Sequence, residues 1–248
     1  MTTSPSPRGR GCRVAAVIPV LNEEGAIGPT VRAIPRDVVD RVFVVDGGSH
    51  DGTVAEAEAA GATVLLETRR GYGRACATGA ERAIAEGAEV ILFLDGDGAD
   101  AVEESARLVD PILAGTADFV IGSRTRGVRE KGSLGAHQVF AGWLIGGAVK
   151  MLTGTGYTDM GAFRAIGAKP LARLGLREMT YGWNLEMQMR AAYARLRIQE
   201  LAVPYRRRVA GRSKVAGDLR GSLKAGWRIT ATLLRVARMQ NEKAKRVD

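Results

Sequence analysis

Two cysteines, Cys12 and Cys76, are all that 248 residues contain, too few for a disulfide framework. No secretory signal is read ahead of them, so a reducing cytoplasm is the expected setting. Long apolar runs are missing too. The nearest, Val139 to Leu152, is rich in glycine, interrupted by Lys150 and short of the roughly 18 to 20 residues that cross a bilayer. The two histidines, His50 and His137, have no cysteine or carboxylate at metal-ligand spacing, which argues against zinc. Zinc-finger spacing, interleaved aromatics and a helix-turn-helix pattern are also absent, so no nucleic-acid partner is expected.

Negative charge is scarce at one end only. From Leu201 to Asp248 there are thirteen Lys and Arg against three Asp and Glu, whereas the first 200 residues carry 23 against 24. The basic surface therefore belongs to the C-terminal fifth, and it suits a phosphorylated substrate or an anionic membrane. Met1 to Gly11, rich in Ser, Pro, Gly and Arg, reads as a disordered tail.

Short β-branched runs at Val14 to Ile18, Val42 to Val45, Thr63 to Leu66, Val90 to Leu94 and Phe119 to Ile121 alternate with helical stretches. Those stretches are Gly25 to Ile34, Thr53 to Ala60, Arg74 to Glu86 and Ala101 to Leu113. The alternation predicts an α/β fold with a mostly parallel central sheet flanked by helices. After a polar stretch at Arg124 to Ala136, Val139 to Leu152 reads either as a buried helix or as one lying at a membrane interface. Bulky Phe140, Trp143, Leu144 and Met151 favour the interface. A helix near Trp183 to Ala194 and a strand at Ile198 to Val203 follow. Gly217 to Arg238 then predicts a basic amphipathic helix with Leu223, Trp227, Thr230, Leu234 and Ala237 on one stripe.

The chemistry gathers at strand ends. Val90 to Asp100 is an apolar run that stops at Asp95 and Asp97, two carboxylates separated by a glycine that lets the chain turn so that both address one hard cation. The same residues can equally make a plain polar turn. The first strand ends in Ile18-Pro19-Val20-Leu21-Asn22-Glu23-Glu24. The second ends in Val45-Asp46-Gly47-Gly48-Ser49-His50-Asp51-Gly52-Thr53, where Asp46 can accept hydrogen bonds from a base or ribose and Asp51 is expected to cap a helix. In an open α/β sheet all three ends lie along one edge, where ligands bind.

In that order, these motifs resemble glycosyltransferase family 2, whose nucleotide-sugar domain has the GT-A fold. The resemblance runs from about Arg13 to Arg208. Ile121-Gly122-Ser123-Arg124, Asp159-Met160-Gly161-Ala162-Phe163-Arg164, Gly182-Trp183-Asn184-Leu185-Glu186 and Gly211-Arg212-Ser213-Lys214 narrow it to the branch similar to dolichyl- and polyprenyl-phosphate sugar transferases. The resemblance implies that Pro19, Asn22, Glu23, Asp46 and Asp95 bind the nucleotide sugar. It also implies that Asp95 and Asp97 hold Mg²⁺ or Mn²⁺, and that Arg124, Arg164 and Lys214 face donor or acceptor phosphates. Asp159 and Glu186 are the candidate catalytic carboxylates. Asp159 could instead order a turn, and Glu186 could pair with Arg190 one helical turn on.

Two departures stand out. Gly47 occupies a position where the family often has a second aspartate, and Ala99 one where polyprenyl-phosphate relatives often carry glutamine. The Gln-x-x-Arg-Trp signature of processive synthases is missing. The expectation is an inverting, metal-dependent transferase moving a hexose from a nucleoside-diphosphate sugar, of the UDP-glucose type, to a membrane lipid such as a polyprenyl phosphate. Such a protein would be cytoplasmic and peripheral on the inner face of the membrane. A lipid or soluble hydroxyl acceptor, and a non-catalytic module binding a nucleotide sugar or anionic lipid, stay open. The expected organisation is a tail over 1–11, a GT-A domain over 12–216 and a basic helix and tail over 217–248.

Overall fold

The computed structural model describes residues 13–210 and 219–244. The expected N-terminal tail and Lys214, expected to face a phosphate, therefore lie outside the described residues.

Seven strands form one sheet: β1 (Val14–Val20), β2 (Arg41–Asp46), β3 (Thr63–Leu66), β4 (Val90–Phe93), β5 (Phe119–Ser123), β6 (Arg164–Gly167) and β7 (Ile198–Ala202), in the order β3-β2-β1-β4-β6-β5-β7. β1 pairs parallel with β2 and β4, with Ile18 opposite Val44 and Val17 opposite Phe93. Only β6 runs antiparallel, to both β4 and β5, so Arg164 lies opposite Phe93 on one side and Ile121 on the other. The sheet is mostly parallel, as the sequence predicts.

Alternate residues of the buried strands feed two cores. Val17, Phe43, Val45, Ile91 and Phe93 face α3 (Tyr72–Ala85) and α7 (Trp183–Tyr193). Ile18, Val44 and Leu92 face α1 (Ile27–Ala33), α2 (Thr53–Ala59) and α4 (Ser105–Leu113). Each such side chain, wholly removed from water, contributes roughly 1.5–3 kcal/mol. Helix α3 lies tight on the sheet because a Cβ at Gly79 would strike Val17 and Val45. Burial on both faces explains why β1 and β4 read as continuous apolar runs.

The remaining helices are α5 (Ala136–Thr153), α6 (Ala168–Leu174) and α8 (Leu219–Ala244). Helix α5 buries only Gly146 and Val149 and leaves Phe140, Trp143, Leu144, Met151 and Leu152 in solvent. At Gly146 a Cβ would collide with the Tyr157 carbonyl oxygen, so the absence of a side chain is what lets α5 approach the domain. Its bulky residues face outward, as the interface reading expects.

Helix α8 corrects its expected stripe. The face on the domain carries Ile229, Thr232, Leu233 and Val236, whereas Trp227, Thr230 and Leu234 are exposed. Polar anchoring sets this rotation: Thr232 Oγ1 donates to Glu178 at 3.0 Å and Arg235 donates to the same carboxylate at 2.9 Å. Among the described residues no helix is long and apolar enough to cross a membrane.

Candidate active site

The carboxyl ends of β1, β2 and β4 meet at one edge of the sheet, and their turns are stitched together. Beyond β1, Asn22 adopts a left-handed backbone with φ of 51°, which asparagine tolerates better than most residues. Its N–H donates to Ser49 Oγ at 2.8 Å, and its Oδ1 accepts from the His50 N–H at 2.9 Å. Asp46 is buried at the end of β2, where it accepts from the N–H groups of Gly48 and Ser49 and from Ser49 Oγ. It thereby holds the loop that any nucleoside at this edge would touch. Half-buried Pro19 and buried Glu23 line the same edge, and the Glu23 N–H donates to Thr53 Oγ1 at 2.8 Å. Gly52, not Asp51, is the N-cap of α2; Asp51 stands one residue earlier and accepts from the Thr53 N–H at the helix's first residue.

The turn after β4 differs in cause from the sequence reading. Gly96 makes no unusual turn; a Cβ there would lie 2.6 Å from Val20 Cγ1, so packing excludes a side chain. The turn itself is made at Gly98, with φ of 75°. Asp97 is buried, and its Oδ1 accepts from the Ala99 N–H at 2.9 Å. Its Oδ2 accepts no hydrogen bond and is compensated by the Arg208 guanidinium 2.9 Å away. The same guanidinium lies 3.7 Å from Glu23. Burial and the neighbouring Asp97 charge push Asp95 up to about 7. Asp100, which donates nothing but accepts from the Asp95 N–H at 2.9 Å, is likewise raised by burial and then by Asp95 and Asp97.

Carboxylates crowd this turn: Asp95, Asp97 and Asp100 act on one another, and Arg208 lies against Asp97 and Glu23. Among the described residues no three His, Cys, Asp or Glu side chains are arranged to hold a metal by themselves. Two neighbouring carboxylates, one with a buried oxygen that accepts no hydrogen bond, fit a hard cation such as Mg²⁺ or Mn²⁺. Such a cation would supply charge neutralisation for a departing diphosphate.

The remaining candidates divide into two groups. Arg124 and Asp159 come together: Arg124 donates through Nε and one terminal nitrogen, each at 2.7 Å, and through its backbone N–H at 2.8 Å. Burial raises the Asp159 carboxyl, but Arg124 outweighs it and holds the group below its usual range. Arg124 also stacks over the Tyr205 ring at 5.0 Å and shares its field with Asp95 and Asp100. Arg164 is wholly buried, donates to the carbonyl oxygens of Gly161 and Asn184, and is held below its usual pKa by burial. Glu186 is wholly buried as well. It accepts from the N–H groups of Arg177 and Glu178 and pairs with Arg190 at 2.8 Å, the helical pairing its spacing allows.

Sequence reasoning missed Asp100, Tyr205 and Arg208. The backbone of 203–209 runs beside the turn after β4: Arg206 N–H donates to the Ala99 oxygen at 2.9 Å and Val209 N–H to the Asp97 oxygen at 3.0 Å. Asp100 carried a signal, since it ends the same apolar run as Asp95. Arg208 carried none, because Arg206-Arg207-Arg208 reads as a solvated charge run.

Residues 15–174 match the family model described as Glycosyl transferase family 2. An uncharacterised glycosyltransferase of Mycobacterium tuberculosis is 33% identical over 217 residues, 87% of this chain and 95% of that protein. The undecaprenyl-phosphate mannosyltransferase of Micrococcus luteus is 30% identical over 221 residues, 84% of this chain and 90% of that protein. In fold, the chain matches glucosyl-3-phosphoglycerate synthase from Mycobacterium tuberculosis with a TM-score of 0.71 and 24% identity, over 92% of this chain and 80% of that one.

Proposed function

The chain belongs to glycosyltransferase family 2, and from that premise we propose that it transfers a hexose, with inversion, from a nucleoside-diphosphate sugar to a polyprenyl phosphate at a membrane surface. The observation that carries this reading is the pair of half-buried Asp95 and buried Asp97 beside the Asp46 loop, set at the ligand edge of the sheet. Asp95 and Asp97 hold Mg²⁺ or Mn²⁺ against the diphosphate, while Pro19, Asn22, Glu23 and Asp46 line the nucleoside side. The donor is of the UDP-glucose type in this reading; the mannosyltransferase name of one relative makes a mannosyl donor the arm that would correct it.

The acceptor follows from the carboxylates. An alcohol needs a general base within reach of its proton, whereas a phosphate arrives ionised and needs positioning. Asp159 is taken up by Arg124, and Glu186 by Arg190 and two backbone N–H groups. That arrangement suits an acceptor that brings its own charge. Arg124 and Arg164 then act as fixed positive charge beneath the site, and Lys214 remains a phosphate ligand in this proposal. The outward aromatic face of α5, with exposed Trp227 and Leu234 on α8, supports peripheral membrane association.

The test incubates the protein with UDP- and GDP-hexoses, Mg²⁺ or Mn²⁺, and either undecaprenyl phosphate or undecaprenol. A metal-dependent glycolipid from the phosphate alone is expected. Product from the free alcohol but not the phosphate would overturn the acceptor assignment.

A further inference from the structure

The polar contact of α8 with the domain is concentrated on one carboxylate. Glu178, buried in the turn between α6 and α7, accepts from Thr232 Oγ1 and Arg235 on α8 and from the N–H and hydroxyl of Thr180 within the turn. Glu186 fixes the same turn: it accepts from the N–H groups of Arg177 and Glu178, and Arg235 lies 3.9 Å from it. Gly182 completes the contact, since a Cβ there would strike both Thr232 and Glu178.

The other side of this turn rests on the start of α3. The Arg74 N–H donates to the Met179 oxygen at 3.1 Å, and a Cβ at Gly71 or Gly73 would collide with the carbonyl oxygen of Met179 or Glu178 respectively. Neither element shifts without the other. Between those glycines stands Tyr72, whose hydroxyl is buried and lies close enough to Asp95 to be acted on by its charge. An unbroken run of contacts therefore joins α8, through Glu178 and the first turn of α3, to the strand-end carboxylates.

The opposite face of α8 is open. Trp227, Ala231, Leu234 and Arg238 follow one another at helical spacing, with Arg228 beside them, and all five are exposed. From Gly226 to Gln240 the helix has three arginines and no acidic residue. An exposed tryptophan and leucine flanked by arginines fit the headgroup region of an anionic bilayer, where apolar rings sink in and guanidinium groups meet phosphate. On the inner face Thr232 and Val236 are buried but Ile229 and Leu233 only half-buried, a narrow seat for a long helix. Because the two faces are opposed, bilayer contact and docking on Glu178 coexist, and each stabilises the helix for the other.

We propose that α8 is a bilayer-operated strap: adsorption of its outer face to an anionic surface holds Thr232 and Arg235 on Glu178, and Glu178 thereby positions the first turn of α3 for the nucleotide sugar. Glu178, Thr232 and Arg235 are positioning residues in this scheme. The inference rests on the nucleotide-sugar and membrane reading above and adds to it a regulation of donor binding.

Two readouts on the full chain test it, each with phosphatidylglycerol or phosphatidylcholine vesicles: hydrogen exchange at the amides of 72–75, and affinity for UDP- or GDP-hexose in Mn²⁺. Phosphatidylglycerol is expected to slow that exchange and to tighten the donor about fivefold, and the bound donor should tighten vesicle binding by the same factor. Phosphatidylcholine should do neither. The Thr232→Val/Arg235→Met variant should keep its vesicle binding and lose both responses, whereas Arg235→Lys should retain them. Trp227→Ser/Leu234→Ser should weaken vesicle binding at least about tenfold while donor affinity without vesicles stays at the wild-type value, which reports an intact fold. Three results overturn the strap: no vesicle binding by the wild type, bound vesicles that leave exchange and donor affinity unchanged, or responses that survive in Thr232→Val/Arg235→Met. Vesicle protection of 72–75 that vanishes in that variant, with no nucleotide sugar bound by any form, sinks the proposed reaction while the strap stands. Donor binding and sugar transfer that ignore vesicles sink the strap alone.

Discussion

Replacing Asp159 by asparagine separates a catalytic carboxylate from a structural one. The side chain keeps its shape but loses the charge facing Arg124, and its new amide N–H₂ opposes guanidinium donors that had held two oxygens at 2.7 Å. Breaking a buried ion pair from one side costs about 3–5 kcal/mol. The lower figure applies here, because the Arg124 side chain keeps 18% of its exposure and its contact with Tyr205. For a chain of this size about 3 kcal/mol corresponds to a Tm lower by roughly 6–12 °C. Calorimetry at pH 7 on Asp159→Asn, Arg124→Leu and the Arg124→Leu/Asp159→Leu pair reads it, and the double apolar variant should recover part of the loss. The pH sign is fixed by the lowered Asp159 carboxyl. Its stabilisation is fully present above its unfolded value near 3.8 and disappears as the pH falls through the lower folded value. Wild type should therefore lose an increment in strong acid that Asp159→Asn has already lost. A variant that melts within about 2 °C of wild type while kcat drops 10²- to 10⁴-fold would make Asp159 a general base and refute the ion-pair argument.

Asp97→Asn should keep the turn, since asparagine can still accept from the Ala99 N–H, yet lower metal-dependent transfer by about 10²-fold or more; near wild-type turnover would remove the cation from Asp97. Between about pH 4 and 7 the folded, metal-free chain retains a proton on Asp95 that the unfolded chain has released, so this group's contribution to stability declines as pH rises. Mn²⁺ should accordingly raise Tm more at pH 8 than at pH 5, and an equal rise at both would count against a cation at the pair. Gly146→Val drives a side chain into the Tyr157 carbonyl and should cost about 1–3 kcal/mol by urea unfolding; a neutral result would mean that α5 does not rest on that contact.

What the sequence revealed depends on the range of the interaction. Strands β1, β2, β4 and β5 were legible because their β-branched runs are buried on both faces. Strand β6 was not: it is four residues long and begins with Arg164, a cation that its strand pairings bury. The three polar strand ends were legible, since position at the sheet edge follows from topology. Arg124 and Asp159 each stand out in the motifs, but no local pattern shows their pairing across 35 positions. On α8 the amphipathic period was right and its phase wrong. Periodicity alone does not register Thr232 and Arg235 against a carboxylate at Glu178.

Charge at the Asp95–Asp97 turn explains the place of Arg208, invisible in the motifs. Glu23, Asp95, Asp97 and Asp100 converge there; Arg208 lies against Glu23 and Asp97, and Arg124, itself paired with Asp159, acts on Asp95 and Asp100. Burial first, and then the charge of the neighbouring carboxylates, favours the protonated forms in the metal-free fold, which is why Asp95 sits near 7 and Asp100 well above its usual range. A divalent cation removes the need for those protons. The same backbone segment that carries Arg208 to Asp97 carries the Arg207 N–H to Glu130, one residue earlier. A substitution that shifts residues 205–208 should therefore disturb the Asp97 turn and the 128–131 loop together.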